Sequence, residues 1–296
     1  YSYKIYCFLK SIFFEYDDKD SEVFDMKKEK VFAPLEWDSP INCKIQDLHE
    51  SLYDEACLYL FISFIPLPSS PFSSISLIYP SLLILSILQH HYFREEPMCK
   101  SIELLNDKIS VNSYLNLIKT WMKDTTSLVA LSINSGRVVG VAITRINTDS
   151  EKTNIYERNQ VLTGRSLEDI ILLINEVTNQ SDIYVKFKQD SYLRIYILCV
   201  HPTYKNKGVE TALLRAFIQA ARAMKLAAIG GVFTSGYNQL LAEQIGFKIL
   251  SEIRYNRWIV NDTVVFDDPG KGNYSVAFMG KIIDYKDPKE KCKYDV

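Results

Sequence analysis

The sequence lacks every short motif that would assign a metal or a nucleotide at sight. Its six cysteines, Cys7, Cys43, Cys57, Cys99, Cys199 and Cys292, are scattered, and no two form a C-x-x-C pair. Its four histidines, His49, His90, His91 and His201, make no spaced cluster with them. This excludes the common zinc spacings and a disulfide framework, and it points to a reduced, cytoplasmic protein without structural metal. G-x-x-x-x-G-K-[ST] and G-x-G-x-x-G are both absent, so there is neither a Walker A loop nor a dinucleotide fingerprint. Neither sign of charge dominates: 34 Lys and Arg face 36 Asp and Glu, a net charge of -2. No global basic field therefore draws the chain to nucleic acid or to an anionic membrane. No internal repeat is visible.

What is present is ordinary globular material, 47% hydrophobic and 24% charged over 296 residues, enough for a sizeable core. Two segments stand apart. Residues 1–25, opening at Tyr1, have no signal-peptide order of regions, and the first methionine is Met26. They read as upstream sequence ahead of a product starting at Met26. Phe61 to Leu88 contains only Phe, Ile, Ser, Pro, Leu and Tyr. It has the length of a membrane span, but Pro66, Pro68, Pro71 and Pro80 would break a helix repeatedly, and lipid offers no partner for the freed backbone groups. Its pyrimidine-rich codon families, ahead of Gln89, read as a retained intron; a membrane or interface segment and a genuine loop are the alternatives. Deleting it joins Leu52–Leu60 to Gln89–Pro97 as one amphipathic helix. The expected organisation is a single domain over 26–283, interrupted at 61–88, with a charged tail at 284–296.

Periodicity predicts a first strand near Cys43–Leu48, a helix over Val111–Lys123 and paired strands over Ser127–Ile133 and Arg137–Asn147. A long helical region follows from Arg165 to about Lys188, broken near Gln180-Ser181. Leu193–Val200 is a continuous apolar run, suited to a central strand buried on both faces. A helix over Gly208–Met224, a strand over Ala228–Phe233, a helix over Gly236–Ile245 and strands over Phe247–Trp258 and Tyr274–Ile283 complete a mixed α/β sheet covered by helices.

The chemistry concentrates in LCVHPTYKNKGVETALLRAF. Pro202 ends the strand because it cannot donate a ladder hydrogen bond. A short loop carries Lys205 and Lys207, and Gly208 lets the backbone approach a ligand as it opens a helix. The N–H groups of the first turn have no partner within the helix and sit at the positive end of its dipole, so an anion is favoured there. The same spacing also fits a solvated basic turn before a core helix.

V-H-P-T-Y-K-N-K-G-V-E resembles the pyrophosphate-binding motif of GNAT acetyltransferases, V-x-P-x-[YF]-[RQ]-x-x-G-x-[GA]. Lys205 stands for Arg or Gln, and Glu210 for Gly or Ala. The second departure places a carboxylate beside a pyrophosphate, which is repulsive unless Glu210 points to solvent. QHHYFREEPMCKSI is similar to the F-F-x-x-E-P-[LM] segment of insect arylalkylamine N-acetyltransferase-like proteins, and QLLAEQIGFKIL to the helix-Gly-Phe-strand unit that follows the coenzyme site. The resemblance spans roughly Cys43 to Ile283 without 61–88. It implies a mostly antiparallel central sheet with helices on both faces, acetyl-CoA as co-substrate and no metal. It makes Glu96 the general base, puts Leu198, Cys199 and Val200 against pantetheine, and gives Lys205, Asn206, Lys207, Gly208, Val209, Glu210 and Thr211 to the pyrophosphate. Asn238 falls near the coenzyme. Glu95, one position before Glu96, is expected to point elsewhere. The tyrosine that many members use to protonate the leaving thiolate is replaced by Ala242, with Thr234 or Ser235 as substitutes.

These implications lead to an N-acetyltransferase for a small primary amine, such as an arylalkylamine. A non-catalytic acetyl-CoA-binding module, favoured by Glu210 and Ala242, and a protein N-acetyltransferase are the alternatives, with a membrane-tethered protein if 61–88 is a true segment. The sequence fixes neither the acceptor nor the oligomeric state.

Overall fold

The computed structural model describes residues 36–40, 42–48, 84, 87–149 and 162–283. All of them belong to one compact unit, Pro34–Val296. The readings of residues 1–25, of Met26, of the joined helix over 52–60, of the tail 284–296 and of most of 61–88 lie outside the described residues. Of that last segment, Ile84, Ile87 and Leu88 are described, and all three are buried in the same core cluster as Phe93 and Trp121.

The strands are β1 (Glu36–Trp37), β2 (Cys43–Asp47), β3 (Leu128–Ser132), β4 (Val138–Thr148), β5 (Ser191–Val200), β6 (Ala228–Phe233), β7 (Lys248–Arg254), β8 (Ile259–Val260), β9 (Thr263–Val264) and β10 (Ser275–Ile282). Among the described residues eight of them form one sheet in the order β1-β2-β3-β4-β5-β6-β10-β7, while β8 and β9 make a separate hairpin. Every pairing is antiparallel except β5 with β6. A parallel pair needs a crossover, and the helix between β5 and β6 supplies it.

The helical elements are α1 (Phe93–Glu95), α2 (Pro97–Ser101), α3 (Lys108–Met122), α4 (Arg165–Asn179), α5 (Ile183–Phe187), α6 (Val209–Ala223) and α7 (Gly236–Gln244). A single π-helical turn, Leu88–Tyr92, precedes α1. Polar caps fix several starts: Asp107 accepts the Ile109 and Ser110 N–H groups at 3.1 Å each, and Asp182 caps α5 after the expected break. Ile102–Leu105 holds the start of a 3-10 turn, Leu104–Asn106, with Glu103 left-handed before it (φ 50°).

The sheet is covered on both faces. One face packs against α3, α4 and the segment around Phe93, through residues such as Val141, Ile143, Val276 and Phe278. The other packs against α6 and α7, through Ala130, Ala142, Ala277 and Met279. The apolar side of α6, with Val209, Leu213, Phe217 and Ala221, is buried here. Each large side chain on it contributes roughly 1.5–3 kcal/mol by leaving water.

Two irregularities of β5 create a cleft in the sheet. The register against β4 slips between Ile143 and Thr144, which face Ile197 and Ile195, so Tyr196 is an extra residue on β5. Such a bulge reverses the alternation of side chains. Leu193 and Ile195 accordingly face the α6 side, whereas Ile197 and Cys199 face the opposite core. In addition, β5 and β6 pair only from Leu193–Ile229 to Ile195–Gly231. Beyond Ile195 the two strands diverge, and β5 stays bonded to β4 alone.

Candidate active site

The divergence of β5 from β6 opens a cleft of about 290 Å³. His201 donates its N–H to the Val139 carbonyl at 2.8 Å, so the odd-numbered residue Cys199 also turns its backbone towards β4. Alternation along an antiparallel ladder then turns the N–H and C=O groups of Leu198 and Val200 towards the cleft, where β6 offers no partner. The cleft thus has a wall of backbone donors inside the sheet.

The loop at the end of β5 supplies the second wall. Pro202–Tyr204 is a 3-10 turn, and His201 Nδ1 accepts the Thr203 N–H at 3.3 Å. Asn206 (φ 60°) and Gly208 (φ 81°) are both left-handed, and they turn the chain into α6. The first helical bond is Ala212 N–H to the Gly208 carbonyl, so Val209, Glu210 and Thr211 leave their N–H groups outside the helix ladder. Space around Gly208 is open, since a Cβ there would meet nothing within 4 Å; its conformation, not crowding, requires glycine.

The third wall is the helix turn bearing Glu96. Glu96 has an extended backbone (ψ 128°), because the following Pro97 disfavours the helical region. It caps α2: its Oε2 accepts the Cys99 N–H at 2.7 Å. Its Oε1 is buried without a hydrogen-bond partner. The negative charge of Glu96 adds to burial in holding the Tyr92 hydroxyl and the Cys99 thiol well above their ordinary pKa values.

Of the residues expected at the site, Glu96, Leu198, Cys199, Val200, Lys205, Asn206, Glu210 and Asn238 line this one cleft. Lys207, Gly208, Val209 and Thr211 do not line it. Val209 is buried beneath α6, and Lys207 lies over the Tyr204 ring, 5.3 Å from its centroid. Thr234, Ser235 and Tyr237 do line it, and Ser235 Oγ accepts the Asn238 N–H at 3.2 Å. Ala242 is fully buried under α7.

Two expectations change. Glu95 does not point elsewhere: it lines the same cleft and forms an ion pair with Lys205 of the loop. Glu210 does not point to solvent: it is buried, and burial raises its carboxyl pKa, while its own N–H and Lys205 pull the other way. The sequence reading also missed His91, Tyr92, Tyr196 and Phe233. Tyr196 enters through the bulge, which no local pattern announces. The ring of His91 meets that of His201 edge-on at 4.5 Å, a contact that joins segments far apart in sequence.

No protein-family model and no curated protein sequence matches the chain. Solved structures do. An insect protein assigned as arylalkylamine N-acetyltransferase 7, from the yellow fever mosquito Aedes aegypti, is 23% identical, with a TM-score of 0.67 over 85% of this chain and 96% of that one. Arylalkylamine N-acetyltransferase 2 of Aedes aegypti is 19% identical, with a TM-score of 0.64 over 82% of this chain and all of that one. A polyamine N-acetyltransferase of Drosophila melanogaster, which forms N-acetylagmatine, is 20% identical, with a TM-score of 0.58 over 68% and 94%. With one parallel strand pair among the described residues, divergent central strands and these likenesses, the chain has the fold of the GNAT N-acetyltransferases.

Proposed function

We propose that the chain is an N-acetyltransferase that moves an acetyl group from acetyl-CoA to a small primary amine, with arylalkylamines and polyamines the first acceptors to test. The observation that carries this reading is the placement of a buried, half-satisfied carboxylate, Glu96, in the same cleft as the unpaired β5 edge and the α6 loop. Backbone donors at Leu198 and Val200, the first-turn N–H groups of α6 and the cation Lys205 suit a phosphate-bearing coenzyme. The carboxylate of Glu210 opposes it.

The coenzyme supplies the acetyl group as an activated thioester. Glu96 Oε1 takes the proton that an ammonium must lose before its nitrogen attacks, directly or through water. The N–H of Leu198 or Val200 donates to the acetyl oxygen as negative charge develops there. Ser235, whose Oγ accepts the Asn238 N–H, donates its O–H to the sulfur as the C–S bond breaks and regains a proton from the new amide nitrogen, directly or through water. Cys199 lines the pocket without acting as a nucleophile, because burial pushes its thiol up to about 12.

The test is turnover of the purified chain with acetyl-CoA against an amine panel, followed by release of free thiol. Acetylation of at least one small amine is expected. Coenzyme binding with no acceptor consumed would leave the second reading, a non-catalytic acetyl-CoA module, which the buried Glu210 favours. Absence of coenzyme binding in a folded chain would defeat both.

A further inference from the structure

We propose that Glu210 is an internal counter-anion, whose carboxylate competes with the coenzyme's pyrophosphate for the donors of the α6 loop and sets how tightly this chain holds coenzyme. The inference rests on the coenzyme site proposed above. Three observations carry it. Glu210 sits in the first turn of the fifteen-residue helix α6, where the N–H groups are outside the ladder and the dipole favours an anion. It is 4% exposed, lines the cleft, and leaves its Oε2 buried with no partner. A buried, unpartnered carboxylate oxygen costs free energy unless something nearby favours its charge, and here that is the helix terminus itself.

The loop's cation is engaged too. Lys205 is ion-paired with Glu95 across the cleft. Lys205 and the Glu210 N–H, which would receive a pyrophosphate, therefore already face two of the protein's own carboxylates. The reach of the Glu210 charge is seen in its neighbours. It helps to raise the Cys199 thiol on β5 and the Tyr237 hydroxyl on α7, in both cases after burial, and it is itself favoured by Lys205 on the loop. A pyrophosphate held within a few ångströms of that carboxylate is repelled by it, the more so because water is largely excluded there. Bound pyrophosphate must overcome that repulsion, or Glu210 must be protonated first.

The experiment is calorimetric titration of coenzyme A into the full chain and into Glu210→Gln and Glu210→Ala. Gln keeps the size of the side chain and removes the charge; Ala removes both. Both variants are expected to bind about 10- to 1000-fold more tightly than the parent in mildly alkaline buffer. The gap between parent and Glu210→Gln should narrow as the buffer is made more acidic, because burial raises the Glu210 carboxyl above its ordinary value and protonation removes the charge; the two proteins share every other titrating group. Equal affinity of parent and both variants would overturn the inference and leave the coenzyme site standing. Tightening by Ala alone would overturn it in favour of simple crowding. No binding by any of the three folded proteins would show that the coenzyme site itself is wrongly assigned.

Discussion

Glu96 accepts the Cys99 N–H through Oε2 at 2.7 Å, while Oε1 of the same carboxylate is buried and has no partner. One oxygen caps a helix and the other is unpaired, so the capping role and the proposed base role can be separated. Glu96→Gln keeps an acceptor for Cys99 and should lower turnover by about 10²–10⁴ with coenzyme affinity unchanged. Part of the loss should return at high pH, where the amine is already neutral. Glu96→Ala should lose the cap as well, at about 0.5–2 kcal/mol of stability. Steady-state rates and melting curves on both variants check this; full turnover in Glu96→Gln would move proton removal to another group or to water.

The loop should respond to substitution in a set order. Gly208→Asp puts a charge and a strained left-handed side chain at the head of α6, and it should weaken coenzyme binding most. Lys205→Ala should cost little, because Lys205 is shared with Glu95 and both side chains are 43% exposed, a setting in which ion pairs contribute about 1 kcal/mol or less. Glu95→Ala frees Lys205 and should tighten binding by a few-fold, about 1 kcal/mol at most. Titration of the three variants with coenzyme A ranks them, and a Gly208→Asp affinity equal to the parent's would contradict the loop assignment.

Cys199 should be inert. Its thiol, pushed up to about 12 mainly by burial and further by Glu95 and Glu210, is almost wholly protonated near neutral pH. Iodoacetamide should modify it after unfolding but not before, as mass spectrometry of the Cys199 peptide will show. Its contribution to stability has a definite sign. The unfolded thiol titrates near 8.5, so stability is fully present below that value and is lost as pH rises towards about 12. Cys199→Ala should keep turnover within a few-fold; a loss comparable to that of Glu96→Gln would mean that the thiol takes part in the chemistry.

Gly231→Ala should destabilise the sheet where β5 and β6 part. A Cβ at Gly231 would lie 2.4 Å from Ile195 Cγ2 and 2.8 Å from the Ile195 carbonyl oxygen, at the last pair of the parallel ladder. Overpacking of this kind costs about 1–3 kcal/mol, or roughly 2–12 °C of melting temperature for a domain of this size. An unchanged melting temperature would show that the two strands are not in close contact there.

The elements were largely readable from the residues. The apolar run Leu193–Val200 became the central strand, and Ala228–Phe233 formed its parallel neighbour at the expected bounds. Gly208 and the apolar side of α6 fixed the loop, because a left-handed turn and a helical period leave local traces. The strand expected over Phe247–Trp258 is shorter: β7 stops at Arg254 and a 3-10 turn follows, since Tyr255 turns inward to donate its hydroxyl to the Thr234 carbonyl. What could not be read were properties of pairs. The Tyr196 bulge exists only against β4, the Glu95–Lys205 pair joins residues 110 positions apart, and the inward course of Glu210 depends on the cleft that surrounds it.

The short parallel ladder has a mechanical meaning. Strands β1 to β5 form one hydrogen-bonded plate and β6, β10 and β7 another, and between them the sheet is stitched at Leu193–Ile195 with Ile229–Gly231 alone. The rest of that seam is a slit with main-chain donors on its lip. A coenzyme seated in the slit, as proposed, would take up the hydrogen bonds that a neighbouring strand would otherwise make, and so would act as the missing length of β-ladder. On the proposed function, coenzyme binding and completion of the sheet would be one event, expected to stiffen the molecule across this seam.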